Sequence, residues 1–441
     1  KPEWMAISRK GDNYYLENGR TKYYFLNPAL PEVRDFLSEL YKDLIKKYDI
    51  DGIQFDYMRY SHSSDYTNDF GYDTSTRQLF KAFTGIDPID LNPDANMWQE
   101  WCSFRTNIIS SYAYRIISEI KSINPEIQIS ADVWPEYDET IVDIYQNPKA
   151  WVSKDYIDNI IPMSYYLNEK PVTDDIMNTL AFARGHSQII SGIATYTKVD
   201  KAVLVRQIDA IRASNTNGVA IFEYESLFNG GYDTVLKLGV YNAPSVVTYK
   251  DPVLAIDTIF EEIIRKIDDI YVKYNGISTE QGEKLKELIS QAKINLKDDN
   301  TYAQAAYSAK RKVEELLKNV NDQDAVNEEI IKRINSDLNS IINIIDGLIS
   351  KNRYLSKREV EKFQVELDRK ELKESSMSPL RIKAVFNDNT VIYLDSTQYS
   401  VSSDDANSAE VSKDMLILKD RSERTEIIVD IMDSLSFNTA D

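Results

Sequence analysis

The chain has 441 residues, 42% of them hydrophobic, and 71 Asp and Glu against 52 Lys and Arg give it a net charge of −19. That length exceeds a single hydrophobic core and implies about two to four domains. The acidity argues against nucleic acid or an anionic membrane as partner, because both are polyanions.

A single cysteine, Cys102, leaves no internal disulfide framework, and two histidines, His62 and His186, are too few for a His-rich zinc site. An all-oxygen calcium site stays open, although no loop has the spacing of an EF-hand, and neither a metal nor a cofactor is expected. No stretch is long and apolar enough to span a membrane as a helix. The chain opens at Lys1-Pro2-Glu3-Trp4 with neither a methionine nor a signal peptide, so its start reads as a processed or truncated end.

Residues 1–241 alternate strands and helices. Pro31 opens a helix in which Val33, Phe36, Leu37, Leu40, Tyr41, Leu44 and Ile45 recur at helical spacing. A short buried strand, 51–56, ends on Asp56, and Tyr57, Arg59 and Tyr60 follow directly. The next helix presents Trp101, Phe104, Ile108, Ile109, Tyr112, Ile116 and Ile120, and Asn124-Pro125 stops it. Strands are expected at 127–133, 156–164 and 187–194. A helix marked by Leu204, Ile208 and Ile211 comes next, then a last strand at 218–223.

Strands separated by helices imply a parallel sheet. A closed barrel needs eight strands in about 250 residues. The region therefore reads as α/β, the last five βα units of a (β/α)8 TIM-type barrel whose first three units are absent.

Residues 242–252 read as a linker. Residues 253–375 carry successive apolar stripes, among them Ile256, Phe260, Ile263 and Ile267, and later Ile334, Leu338, Ile341 and Ile345. These predict an antiparallel α-helical bundle. From residue 380 to 441 the period changes to two. Asn387-Asp388-Asn389 is a hairpin signal there, and a small immunoglobulin-like β-sandwich is expected.

Carboxylates at strand ends carry the chemical argument. In a (β/α) barrel the C-terminal ends of the strands hold the catalytic groups. Asp56 stands at such an end, where Arg59 would hold it ionised as nucleophile or base. Asp132 ends the next strand and Glu136 follows in the loop. Either would serve as general acid if an apolar wall such as Trp134 raised its pKa.

Glu223 and Glu225 flank the end of the last strand as rivals for that second carboxylate. Alternation would point one inward and the other away. Tyr57, Tyr60, Trp134, Tyr165 and Tyr166 are candidates for stacking on sugar rings, and Arg59 and Glu136 for binding them. The competing reading gives these acids to capping and ion pairing and the aromatics to packing. No Ser or Cys stands at a triad spacing from either histidine.

The pieces 2–4 (Pro-Glu-Trp), 26–29 (Leu-Asn-Pro-Ala), 31–34, 48–60, 70–73 (Phe-Gly-Tyr-Asp), 160–165, 192–194 and 218–227 match in order and spacing a known bacterial family. Through them residues 2 to about 228 resemble glycosyl-hydrolase-like family ten. The resemblance implies a TIM barrel in which 51–56 is the fourth strand. It also implies hydrolysis of a polysaccharide, with envelope glycans containing amino sugars as one substrate class. The C-terminal part weakly resembles bacterial immunoglobulin-like repeats. A secreted or cell-envelope location is the corresponding expectation. The alternative function is a non-catalytic carbohydrate-binding or surface-display protein.

Overall fold

The computed structural model describes residues 1–17, 20–62, 65–214, 216–243, 245–248, 250–292, 302–323, 326–355, 360–367, 377–386, 391–393, 399–405, 409–412, 415–419 and 427–431. The chain divides into two compact units. One comprises Lys1–Ile129, Glu136–Tyr156 and Lys357–Asp441, the other Ser130–Pro135 and Ile157–Ser356.

The first unit begins with an antiparallel hairpin, β1 (Tyr15–Glu17) and β2 (Thr21–Tyr23), which pairs Tyr15 with Tyr23. Helix α1 (Pro31–Lys47) follows. Pro31 suits its first turn because that turn's N–H groups lack helical partners, and Lys46 and Lys47 complement the negative end of its dipole. After β3 (Gly52–Phe55) come α2 (Thr74–Thr84), capped by the Asp73 carboxylate, and the long α3 (Trp98–Ile123), which ends before Pro125 as expected. Trp101, Phe104, Ile108, Tyr112, Ile116 and Ile120 are all buried along α3, as their spacing predicts. Buried Arg34 ties α1 to α3 by donating to the Ile108 carbonyl and the Ser111 hydroxyl, both at 3.0 Å.

Strand β4 (Gln128–Val133) starts beside β3. The Gln128 N–H donates to the Asp51 carbonyl at 3.0 Å. A Cβ on residue 52 would lie 2.8 Å from the Gln128 carbonyl oxygen, so this approach requires glycine. Short helices α4 (Thr140–Asp143) and α5 (Pro148–Ser153) complete this part of the unit.

In the second unit β4 continues into a parallel run with β5 (Asn159–Pro162), β6 (Gln188–Ala194) and β7 (Gly218–Phe222). The register sets Asp132 opposite Ile161, Ile160 opposite Ile189, and Gly192 opposite Ala220. Helices α6 (Glu169–Ala183), α7 (Lys201–Ala213), α8 (Tyr224–Asn229) and α9 (Tyr232–Leu238) follow their strands. Val172, Ile176, Ile193, Leu204 and Ile208 form a shared core. Near-continuous apolar runs such as Asn159–Pro162, buried at every residue, are what a strand covered on both faces requires.

The hydrogen-bonded strand order is β3-β4-β5-β6-β7. The five strands expected from the sequence are thus present. Among the described residues they form a five-stranded sheet rather than a closed eight-stranded barrel.

The same unit contains α10 (Pro252–Lys266), which runs into a π-helical turn (Ile267–Val272), then α11 (Thr279–Gln291), α12 (Tyr302–Asn321) and α13 (Glu328–Leu355). Their apolar stripes converge on Phe260, Ile263, Ile289, Val313, Ile334, Leu338 and Ile345. Buried Asp346 is paired with Lys310 at 2.6 Å. Helix α13 also packs against β6, where the Gln188 side chain lies over Gly347.

One difference from the sequence reading concerns where the helices stop. Val360–Leu367 is a strand, β8, not part of a helical segment reaching residue 375. The alternation Phe363, Val365, Leu367 carries a period of two, and β8 pairs antiparallel with β9 (Met377–Phe386). Strand β10 (Val391–Tyr393) also pairs with β9, consistent with the expected hairpin, whose turn Asn387-Asp388-Asn389 lies outside the described residues. Strands β11 (Tyr399–Ser403), β12 (Ala409–Ser412), β13 (Met415–Leu418) and β14 (Ile427–Ile431) add further antiparallel pairs, β11 with β14 and β12 with β13.

Candidate active site

In the first unit, Asp56 immediately follows β3, and its carboxylate accepts the Tyr57 N–H at 2.6 Å. Its side chain is 46% exposed, whereas that of Arg59, whose guanidinium lies 3.6 Å away, is only 7% exposed. The guanidinium also sits over the Tyr57 ring, 4.2 Å from its centroid. Tyr57 has a φ of 55°, and the Arg59 N–H closes back on the Tyr57 carbonyl at 2.7 Å. The chain therefore turns sharply after the strand. The turn leaves Asp56 and Tyr57 open to solvent with an arginine behind them. A carboxylate open to solvent beside a mostly buried cation is placed to act as nucleophile or base.

The same turn drives Tyr60 inward. It is 1% exposed, its ring meets Tyr145 edge-on at 5.6 Å, and its buried hydroxyl has no hydrogen-bond partner among the described residues. Tyr60 is a core residue, and the expectation that it stacks on a sugar is corrected here. Glu136 is exposed, and its carbonyl accepts the N–H groups of Glu139 and Thr140, both at 3.0 Å.

Behind this group lies a buried polar cluster. Arg105, on α3, pairs with Asp69 and donates to the Phe70 carbonyl at 2.8 Å, and the Tyr145 hydroxyl donates to Asp69 at 2.6 Å. At Gly71, with φ +93°, a Cβ would stand 2.9 Å from Arg105 Cδ, so the Phe-Gly-Tyr-Asp stretch wraps directly on that side chain.

In the second unit, Asp132 lies buried on β4 and half-buried Trp134 follows just beyond the strand. At the ends of β5, β6 and β7, Tyr165 stacks on Phe222 with centroids 5.7 Å apart and planes 11° off parallel. Tyr196 stands edge-on to both, at 5.9 and 5.7 Å. Thr195 fixes this corner: its N–H donates to the Phe222 carbonyl at 2.7 Å, and its hydroxyl meets that of Ser226 at 2.7 Å. Tyr165 was expected to be a sugar-facing aromatic. Tyr196 and Phe222 were missed, although the strand-end rule that selected Asp56 and Asp132 points to both. Tyr166 is held through its carbonyl, which accepts from the Gln207 amide at 2.8 Å.

Glu223 caps α8. Its carboxylate accepts the N–H groups of Ser226 at 3.0 Å and Glu225 at 3.1 Å. The Ser226 amide above all holds its pKa below the usual range. This is the reverse of what a general acid needs, so the geometry assigns Glu223 to capping. A carboxyl depressed in this way stabilises α8 at pH above the ordinary glutamate range, and the contribution is lost as pH falls through the folded value. NMR should show Glu223 titrating below the ordinary glutamate range, with the Ser226 amide shift following it. A midpoint within the ordinary range would overturn the capping assignment. Glu225 is exposed on α8.

The family model described as glycosyl hydrolase-like 10 matches residues 1–208. That stretch is similar to the glycosyl hydrolase-like 10 family. Asp56, Tyr57, Arg59, Tyr60, Asp132, Trp134, Glu136 and Tyr165 fall within it, while Phe222, Glu223 and Glu225 lie beyond.

Glycosyl hydrolase DigH of Escherichia coli O6:H1 is 23% identical over 161 residues, 32% of this chain and 32% of that protein. The DigH of strain K12 is 22% identical over the same length. The match spans about a third of the length of these curated relatives. An S-layer-related protein of Niallia circulans is 24% identical over 240 residues, 45% of this chain and 14% of that protein. Among solved structures, the PgaB (BpsB) glycoside hydrolase domain of Bordetella bronchiseptica is similar with a TM-score of 0.41 and 13% identity, covering 50% of this chain and 65% of that one.

Proposed function

We propose that the glycosyl hydrolase-like 10 region hydrolyses O-glycosidic bonds in a polysaccharide, with Asp56 as nucleophile or base and Asp132 as general acid. One observation carries the reading: the carboxylate just past β3 is open to solvent and flanked by a nearly buried arginine. Two carboxyl groups with opposed environments are the minimum apparatus of glycoside hydrolysis. Asp56 is exposed and Asp132 buried, and that contrast supports the division of roles. Tyr57, beside Asp56, supplies an amphipathic face for the sugar.

The test is reducing-end release from a panel of envelope and plant polysaccharides, including chitosan, peptidoglycan glycan strands, xylan and laminarin. Wild type should release sugar from at least one of them, and Asp56→Asn should not. Binding by wild type without turnover on any member would replace this reading with the non-catalytic one.

A location at the cell envelope is part of the same proposal. It rests on the substrate class and on the likeness to an S-layer-related protein. Protease added to intact source cells should degrade the protein. Survival until the cells are lysed would overturn that placement.

A further inference from the structure

The hairpin that precedes the βα units was not absorbed by the two-carboxylate reading, and it lies beside Asp56 in the same compact unit. Phe25, just past β2, packs on the Tyr57 ring with centroids 5.8 Å apart. Tyr23, the last residue of β2 and two residues before Phe25, is exposed. Its hydroxyl donates across the hairpin to the Glu17 carboxylate at 3.2 Å, and Glu17 is itself exposed. Tyr23, Phe25 and Tyr57 therefore make a run of aromatic residues leading to Asp56, with a carboxylate at its outer end.

This composition has a specific use. Aromatic rings with a polar edge stack on the apolar face of a pyranose, and a carboxylate accepts hydrogen bonds from ring hydroxyls. Cross-strand pairing holds the geometry: Tyr15 opposes Tyr23 and Glu17 opposes Thr21.

We infer that the hairpin forms an additional sugar-binding subsite, in which the Tyr23 ring stacks on one pyranose and Glu17 binds its hydroxyls, so that the protein acts on polymers rather than on terminal sugars. The inference rests on the glycoside hydrolase reading of Asp56 and extends it to the length of substrate engaged. A subsite remote from the cleaved bond adds affinity for a long chain and nothing for a substrate too short to reach it.

Two readouts test it on the full chain. The first is affinity electrophoresis through gels containing chitosan, xylan or laminarin. The second is turnover of whichever polymer is cleaved, compared with the 4-nitrophenyl glycoside of its monomer. Tyr23→Ala should weaken retardation and raise KM for the polymer about tenfold, a loss of roughly 1.4 kcal/mol, with kcat and hydrolysis of the nitrophenyl glycoside unchanged. Tyr23→Phe should keep most of the affinity, because the stacking face is retained. Tyr274→Ala, which removes a still more exposed tyrosine far along the chain from the hairpin, should behave as wild type.

Equal retardation of wild type and Tyr23→Ala would overturn the subsite while leaving Asp56 catalysis to stand on its own turnover data. Equal loss on polymer and nitrophenyl glycoside would also overturn it, since the hairpin would then act on Asp56 itself. If no polymer retards the wild type, the subsite is refuted, and turnover alone decides the fate of the hydrolase reading.

Discussion

Asp56→Asn is expected to lower turnover by about 10²- to 10⁴-fold, the range typical for removal of a positioned acid or base, with affinity for the polymer retained. The substitution keeps the shape of the side chain and leaves an amide oxygen to accept the Tyr57 N–H, now 2.6 Å from the carboxylate. Arg59 keeps its contact with the Tyr57 ring at 4.2 Å. The turn after β3 should therefore survive, and the lost quantity is negative charge at the strand end. That separates chemistry from folding: circular dichroism and thermal midpoint should match wild type while kcat collapses. Asp132→Asn should also lower kcat. If Asp132 is the acid, its loss should be smaller on substrates with good leaving groups, because protonation of the leaving oxygen then matters less. An Asp56→Asn protein with full activity would sink the assignment.

The order of the strands β3 to β7 and of helices α1, α3 and α7 was legible because its signals are local. Apolar spacing in α1 and α3, Pro31, and Asn124-Pro125 each act within a few residues of where they stand in the chain. The strand-end position of Asp56 followed from the same patterns.

Other features were not local. Tyr60 lies three residues after exposed Tyr57 and looks equivalent in sequence, yet the positive φ at Tyr57 turns the chain and sends Tyr60 against Tyr145. Glu223 looked like a strand-end acid, but it is also the residue before a short helix whose N–H groups need an acceptor, and capping claims its carboxylate. The hairpin at residues 15–23 was legible in principle. Asn18-Gly19 between Tyr-rich flanks is a strong turn signal in the sequence. Strand β8 was hidden: its Lys and Glu content resembles the preceding helices, and only the alternation of Phe363, Val365 and Leu367 separates it.

Asp69→Leu is expected to destabilise the first unit by about 3–5 kcal/mol, because it strands a buried arginine. Arg105 is fully buried and faces the Tyr145 ring at 3.8 Å and the Trp101 ring at 4.4 Å. With Asp69 gone, the Phe70 carbonyl is its closest remaining acceptor, at 2.8 Å, and a neutral carbonyl does not balance the charge. The Tyr145 hydroxyl, donating to Asp69 at 2.6 Å, loses its acceptor as well. Tyr145 cannot relieve the charge by ionising, since burial pushes its pKa well above the ordinary value.

The double variant Asp69→Leu/Arg105→Met should recover much of the loss, because two apolar groups of similar volume need no partners. A chain with two compact units need not unfold in one step, so the measurement is amide hydrogen exchange in α3 rather than a global midpoint. Exchange around Arg105 should accelerate in Asp69→Leu and slow again in the double variant. The effect should reach the site: Tyr60 packs on Tyr145 at 5.6 Å, so loosening the cluster loosens the turn that presents Asp56, and kcat should fall with protection and return with it. Unchanged exchange in the single variant would mean that water enters and solvates Arg105, and the cluster would then have no role in holding the turn.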